Sequence, residues 1–99
     1  MKGLPIPFSF DWDEGNIDKN WIKHGVHFKE AEEVFFSKPL KVFPDKRHSK
    51  KEKRFVIFGT TNLGRELTII FTFRQSKIRV ISARNQSKKE RREYEKSQK

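Results

Sequence analysis

Three segments in the second half of the chain are predicted to be β-strands, with apolar side chains either in short runs or in alternation with polar ones. They are Phe55–Gly59, Glu66–Arg74 and Ile78–Arg84. Turn-forming residues separate them: Asn62 and Gly64 follow the first segment, and Gln75–Ser76 follows the second. Because connections this short join antiparallel neighbours, the sequence predicts a sheet of consecutive antiparallel strands. "LKVF" at residues 40–43 predicts a further strand.

The N-terminal part of the chain predicts a short strand at residues 8–12 and then a helix. Asp13 is interpreted as the N-cap of this helix, and Trp21 as part of its buried face. Gly25 suits the left-handed conformation that follows the last turn of a helix, and we expect Val26 to fold back onto Trp21.

His24 stands beside that glycine, in the stretch "KHGV". A cationic side chain is favourable at the negative end of a helix, so the sequence favours a histidine that ends the helix and packs beside it. A catalytic role for His24 is the alternative.

Two more helices complete the prediction. The second has an apolar stripe, made of Phe28, Ala31, Val34 and Phe35. The third begins with the capping box Ser87–Glu90, and Tyr94 is its only bulky apolar residue. The sequence therefore predicts a single α+β domain over residues 1–99, with a small antiparallel sheet, two N-terminal helices and one C-terminal helix.

The charge of the chain is positive and unevenly distributed. The 99 residues carry a net charge of +10. Residues 1–40 hold five Lys and seven Asp or Glu, a net of −2, and residues 41–99 hold the other 18 basic and six acidic residues, a net of +12. A field of that sign favours a polyanionic partner such as RNA, DNA or an acidic protein surface. A solvated surface without such a partner is the alternative.

The sequence also indicates the cellular compartment of the protein and excludes cysteine-based sites. The chain has no cysteine, which excludes a disulfide framework and a cysteine metal site and is compatible with the cytoplasm. The N-terminus lacks the apolar run of a signal peptide, and no segment approaches the length of a membrane span. We therefore predict a cytoplasmic protein that does not contact a membrane.

No metal or cofactor site is predicted, because the carboxylates of "DWDE" are explained by helix capping. The remaining reactive side chains are His24, His27, His48, Glu52 and many arginines. A ribonuclease that uses the 2′-hydroxyl of its substrate needs a base, an acid and cations around the phosphorane. A plain RNA-binding surface has the same inventory, so composition does not choose between an enzyme and a binding domain.

Three stretches resemble the BrnT toxins of bacterial type II toxin–antitoxin systems. They are "FDWDEGNIDKNWIKHGVHFKEAEEVF", "DKRHSKKEKRFVIFG" and "IRVISARNQSKKERREY", which extend from about Phe10 to Tyr94. One position departs from the pattern: His27 stands where similar sequences usually have Ser or Thr, which should weaken the N-cap of the second helix.

The resemblance implies a compact RelE-like fold and a ribonuclease that halts translation. It also implies a BrnA-type antitoxin, a ribbon-helix-helix protein that neutralises the toxin and contacts operator DNA. A relative without catalytic activity, which only binds RNA or protein, is the alternative.

The predicted strand register places the active surface. If Arg74 pairs with Lys77, then Phe71, Phe73, Ile78 and Val80 share the core face. Thr68, Thr72, Arg74, Lys77 and Arg79 then share the opposite face. If Ile57 pairs with Leu67, Glu52 lies opposite Thr72 and in line with Arg79.

We therefore predict a catalytic group on that polar face. Glu52 is the general base, and Arg54, Arg74 and Arg79 hold the scissile phosphate. His48, just before the strand, is the general acid. The alternative for Glu52 alone is an exposed cross-strand ion pair.

A second set of residues is predicted to bind RNA or the antitoxin. These residues are Lys77, Arg84, Arg91 and Tyr94. We expect an acidic helical segment of the antitoxin to cover this basic half of the chain. The alternative for Tyr94 is that its ring fixes the last helix to the sheet.

Overall fold

The computed structural model describes residues 9–37, 41–46 and 51–97. Its elements are α1 (Lys19–His24), α2 (Phe28–Val34), β1 (Lys41–Pro44), β2 (Arg54–Thr60), β3 (Glu66–Arg74), β4 (Lys77–Asn85) and α3 (Lys88–Ser97). The four strands form an antiparallel sheet in the order β1-β2-β3-β4. This confirms the predicted α+β class. None of the helices in these described ranges is both long and apolar enough to cross a membrane.

The hydrophobic core lies between one face of the sheet and α2. The buried side chains are Val26, Ala31, Val34, Phe35, Ile57, Leu67, Ile69, Phe71, Ile78, Val80 and Ala83. Gly59 allows α2 to approach the sheet closely, because a Cβ there would lie 2.6 Å from the Val34 side chain. Ala31, Val34 and Phe35 of the apolar stripe predicted for α2 are thus confirmed as core, while Phe28 is half-buried and packs against Trp12.

The β3–β4 hairpin has the predicted register, with Arg74 opposite Lys77. Both turn residues, Gln75 and Ser76, have positive φ (53° and 66°), as a two-residue turn of type I′ requires. A bulge after Ile70 shifts the pairing further along these strands.

The register predicted for β2 and β3 is wrong by two residues. Ile57 pairs with Ile69 rather than Leu67, because the strands continue to the pair Thr60 and Glu66. The loop closes one residue later, where Thr61 donates its amide to the Arg65 carbonyl. A shift of two keeps every side chain on its predicted face.

The N-terminal segment differs more from the prediction. Within residues 9–12, the expected strand is reduced to a parallel bridge between Phe10 and Ile78. Asp13 does not cap α1, which begins only at Lys19. Its carbonyl instead accepts the amides of Asn16 and Ile17 in a preceding turn.

The end of α1 follows the prediction in part. Gly25 is left-handed (φ 65°, ψ 28°), and Lys23 and His24 occupy the last turn. Val26 is buried, but Trp21 is 58% exposed, so the buried face expected for α1 is wrong at that position.

His27 is the N-cap of α2. Its Nδ1 accepts the amide of Lys29 at 3.2 Å. The Glu30 carboxylate accepts the His27 amide at 3.0 Å, which completes a capping box with an imidazole as the acceptor.

The last helix, α3, packs on the sheet face opposite α2, and Glu90 is one of the residues that attach it. The predicted capping box is present: Glu90 accepts the Ser87 amide at 2.9 Å, and Ser87 Oγ accepts the Glu90 amide at 3.1 Å. The same carboxylate accepts a two-pronged bond from Arg84 of β4 (2.7 and 2.9 Å). It also accepts the hydroxyl of Thr68 of β3 at 2.9 Å.

These contacts hold Glu90 in its ionised form. The Arg84 guanidinium, with help from Ser87 and Thr68, lowers the pKa of the Glu90 carboxyl to about 2, against the opposing effect of burial. Four residues further along α3, Tyr94 is 1% exposed. Its hydroxyl lies 2.8 Å from Oγ1 of Thr60 on β2.

We expect Glu90→Gln to lower the free energy of unfolding by about 1–2 kcal/mol at pH 7, because Gln keeps the cap but loses the charge that pairs with Arg84. The solvent-exposed part of the pair keeps the effect below the full value of the pKa shift. Since the pKa of Glu90 is lowered by folding, the difference between wild type and variant should be full above about pH 4.5 and shrink as the pH falls towards 2.

Urea unfolding followed by far-UV circular dichroism at several pH values measures this. Glu93→Gln is the matched control on the same helix, because its carboxylate is 55% exposed and 3.5 Å from Lys41. Equal effects of the two substitutions would contradict the role given to Glu90.

Candidate functional site

Only part of the sheet face opposite α2 is covered by α3. The helix lies over Phe58, Thr60 and Thr68, and Phe58 is buried there at 4% exposure. The remaining part, which we call the open face, is formed by Phe43, Arg54, Val56, Ile70, Thr72, Arg74, Lys77, Arg79 and Ser82. It unites side chains from all four strands.

Basic residues occupy two neighbouring rows of the open face. Arg54, Thr72 and Arg79 lie directly opposite one another on β2, β3 and β4. Arg74 and Lys77 form the next row, at the β3–β4 turn. Like charges crowded on neighbouring strands are destabilising unless an anion lies among them, and three carboxylates of the chain lie beside these arginines: Glu52, Asp11 and Asp13.

Glu52 lies beside these rows but not where the sequence predicts it. The corrected register puts Arg54, rather than Glu52, opposite Thr72. One carboxylate oxygen of Glu52 lies 3.7 Å from Arg54 Nη2, and the other lies 3.8 Å from Arg74 Nη2. The sheet thus brings together Glu52 and two of the three predicted arginines.

Arg79, the third predicted arginine, is engaged by a different pair of carboxylates. Asp13 accepts both of its terminal nitrogens at 3.0 Å, and Asp11 lies 3.3 Å from Nη1. Its side chain is 13% exposed. The prediction that Glu52 lies in line with Arg79 is wrong, because the register places Arg54 in that row. Arg79 is paired with carboxylates of the N-terminal segment.

Backbone bonds fix that acidic pair in place. The Asp11 amide donates to the Ile78 carbonyl at 2.8 Å, which attaches the segment to the edge of β4. The Gly15 amide donates to Asp13 Oδ1 at 2.8 Å. A Cβ on Gly15 would lie 3.1 Å from Asp13 Oδ1 and 3.2 Å from Arg79 Nη2, so the small residue allows the ion pair to close.

The electrostatics of this cluster agree with its geometry. The hydrogen bond from Arg79, followed by that from the Gly15 amide, holds the pKa of the Asp13 carboxyl below its ordinary value. The same bond to Asp13 raises the pKa of Arg79. Both partners therefore keep their charge at neutral pH.

Three of the four residues predicted to bind RNA or antitoxin have contacts that attach α3 to the sheet. Arg84 holds Glu90, and Tyr94 is buried against the sheet. Arg91 Nε lies 3.3 Å from Glu66 of β3. Lys77 is the fourth, and it is exposed at the turn of the β3–β4 hairpin. The structure thus supports the alternative in which Tyr94 fixes the last helix.

The two histidines in the described part of the chain, His24 and His27, lie at helix ends. His48 lies outside the described residues. His24 ends α1, where its carbonyl accepts a bond from Arg65 at 3.4 Å, and His27 caps α2. Within residues 9–37, 41–46 and 51–97, no three His, Cys, Asp or Glu side chains are grouped so that they could hold a metal ion.

Comparison with known proteins identifies the family of this chain. Residues 12–90 match the family model described as the ribonuclease toxin BrnT of type II toxin–antitoxin systems. The chain belongs to the BrnT family.

A solved structure agrees with this assignment. The chain resembles the 1.1 Å crystal structure of the Brucella abortus ribonuclease toxin BrnT, with a TM-score of 0.61 and 30% sequence identity. The match covers 82% of this chain and 99% of the Brucella one. No curated protein matches the sequence.

Asp11 and Asp13 are residues of this BrnT surface that sequence reasoning placed elsewhere. Their spacing of two is typical of one face of an extended segment, which was the available signal. Their partner Arg79 lies 66 residues from Asp13 in the chain, and no local pattern connects such distant positions.

We expect Asp13→Asn to raise the affinity for RNA, because it removes a negative charge beside the open face and one of the two carboxylate acceptors that hold Arg79. A fluorescent 2′-O-methyl oligoribonucleotide, which lacks the attacking hydroxyl, measures binding without cleavage. Asp18→Asn is the control with the same change in net charge, because Asp18 is exposed and its side chain makes no cap bond to α1. Equal affinity gains in both variants would contradict a local effect at Arg79.

Proposed function

We propose that this chain is a type II toxin that cleaves RNA internally on its open face, without a metal ion, and so inhibits translation in the cytoplasm. The observation that carries the proposal is the placement of Glu52 between Arg54 and Arg74, beside a row of further cations. Membership of a family described as ribonuclease toxins gives that arrangement its substrate.

The proposed reaction uses the 2′-hydroxyl of the RNA as the nucleophile. Glu52 accepts the proton of that hydroxyl while the 2′-oxygen bonds to phosphorus. The bond from phosphorus to the 5′-oxygen then breaks, and a general acid protonates the departing oxygen. The products are a 2′,3′-cyclic phosphate and a 5′-hydroxyl end, and we assign the acid to His48.

Arginines supply the positive charge that the transition state needs. The phosphorane carries more negative charge than the phosphodiester, and guanidinium groups form charge-assisted bonds to its oxygens. Arg54 and Arg74 lie on either side of Glu52. Arg79 of β4 lies in the same row as Arg54 and is proposed to bind the phosphate once its bonds to Asp13 are released. This is the charge stabilisation that other nucleases obtain from metal ions.

The proposed partner is a BrnA-type antitoxin with a ribbon-helix-helix domain, and operator DNA is reached only through it. An acidic segment of the antitoxin would complement the basic part of the chain. Lys77 and Arg91, whose side chain is 48% exposed, are the proposed contacts. Arg84 and Tyr94 support them by holding α3 in place.

Purified protein, free of antitoxin, should cleave RNA in the presence of excess chelator. Gel analysis of a defined single-stranded transcript measures this, and mass spectrometry of the fragments should show 2′,3′-cyclic phosphate ends. Cleavage that stops with chelator and returns with a divalent ion would overturn the metal-free mechanism.

Single substitutions test the residues. Glu52→Gln should lower kcat by about 10²-fold or more, the usual loss for a general base. Arg74→Ala and Arg79→Ala should each remove most of the cleavage, and His48→Ala should slow it.

Arg92→Ala is the control, because Arg92 is an exposed arginine on α3 outside the open face. Circular dichroism and antitoxin binding check that each variant is folded. Full activity in folded Glu52→Gln and Arg79→Ala proteins would move the active site away from the open face.

A further inference from the structure

An apolar row lies on the open face directly beside the arginines. Phe43, Val56 and Ile70 face one another on β1, β2 and β3, and Ser82 of β4 continues the row. All three apolar side chains are half-buried. They are not part of the hydrophobic core, because their chain neighbours Val42, Ile57 and Phe71 point to the opposite face.

The position of this row is defined on both sides. On one side is the row that contains Phe58 and Thr68, which α3 covers through Glu90. On the other side is the row of Arg54, Thr72 and Arg79. The apolar row therefore forms a strip between the foot of the helix and the cations.

Phe43 is the aromatic end of this strip. Its ring packs edge-on against the buried ring of Phe58, with centroids 5.2 Å apart, so Phe58 supports it from the helix side. Lys41 Nζ lies 5.9 Å from the centroid of Phe43. The ring is thus held by its neighbours in a fixed orientation next to a positive charge.

We propose that this strip, made of Phe43, Val56 and Ile70, is a platform on which an unpaired RNA base stacks while its phosphate lies among the arginines. Residues two apart on a strand are separated by about 7 Å along the sheet. A base and the phosphate of the same nucleotide are joined through one sugar, so a single nucleotide spans the two rows.

The positive charge of the neighbouring arginines favours an RNA base over an uncharged apolar ligand on this strip. Base stacking on aromatic and apolar side chains combined with a cationic track is the usual design of single-strand recognition. A paired base in a duplex does not present its ring face to a protein. The inference rests on the proposed ribonuclease function and adds the substrate class: single-stranded RNA with an unpaired base at the cleavage site.

The experiment uses the full chain and two labelled probes, a single-stranded 2′-O-methyl oligoribonucleotide and the same strand annealed to its complement. Fluorescence anisotropy measures both dissociation constants. Phe43→Ala should weaken single-strand binding about tenfold and leave duplex binding nearly unchanged. Phe43→Tyr, which keeps the ring, should bind as the wild type does.

The matched control is Phe36→Ala, which removes an aromatic side chain that is 63% exposed just after α2, on the other side of the sheet. Phe36→Ala should change neither dissociation constant.

If Phe43→Ala does not fold, Val56→Thr is the second variant. It places a hydroxyl in the same strip and should weaken single-strand binding by several-fold. Thermal unfolding of each variant establishes that it is folded.

The outcomes separate this inference from the ribonuclease proposal. If the wild type cleaves RNA and folded Phe43→Ala and Val56→Thr do so with unchanged KM, the platform is wrong and the ribonuclease proposal stands. If single-strand binding depends on Phe43 but the wild type does not cleave RNA, the ribonuclease proposal is wrong and the platform stands. Loss of antitoxin binding without loss of RNA binding would make the strip a protein-docking surface and overturn the inference.

Discussion

The Glu90 carboxylate helps to fix the position of α3 on the sheet face opposite the core. It caps α3, pairs with Arg84 on β4 and accepts the hydroxyl of Thr68 on β3. These bonds place the helix over one half of the face opposite the core. Among the described residues the helix extends no further, so the other half of the face is left to the charged residues of β2 and β3, while the N-terminal segment covers Arg79 of β4.

Charge is segregated on this small sheet. The cations of the middle strands lie around Glu52, while Arg79 at the far strand is held by two carboxylates of the N-terminal segment. Arg54 and Arg74 share the single carboxylate of Glu52, whereas Arg79 is paired with both Asp11 and Asp13. A phosphate on the open face must therefore compete with more carboxylates for Arg79 than for the other two arginines. This difference gives Asp13 an influence on RNA binding that its position in the chain does not reveal.

Local sequence patterns predict the fold well and the site only in part. Alternation assigns each strand residue to a face, and this assignment survives a register error of two, because the side-chain period is also two. The error does change which residues stand opposite each other, so Arg54 takes the place expected for Glu52 beside Thr72. The capping box at Ser87 was visible because both of its members are three residues apart.

Long-range contacts explain what the sequence could not give. Asp13 is a residue type that often caps helices, and it precedes a helix. Its carboxylate nevertheless pairs with Arg79, which lies 66 residues away in the sequence. Arg84 and Arg91 have the character of binding residues, but acidic side chains on neighbouring elements engage them. The strip headed by Phe43 depends on the pairing of β1 with β2, which the sequence does not specify.

The central claim is that RNA binds the open face rather than the helical side of the sheet. Backbone amide chemical shifts of ¹⁵N-labelled protein, titrated with a single-stranded 2′-O-methyl oligoribonucleotide, test it most directly. The account predicts that the largest changes fall on residues 54–56 of β2, 70–74 of β3 and 77–82 of β4. Changes concentrated on α1 and α2, with these strands unaffected, would contradict it.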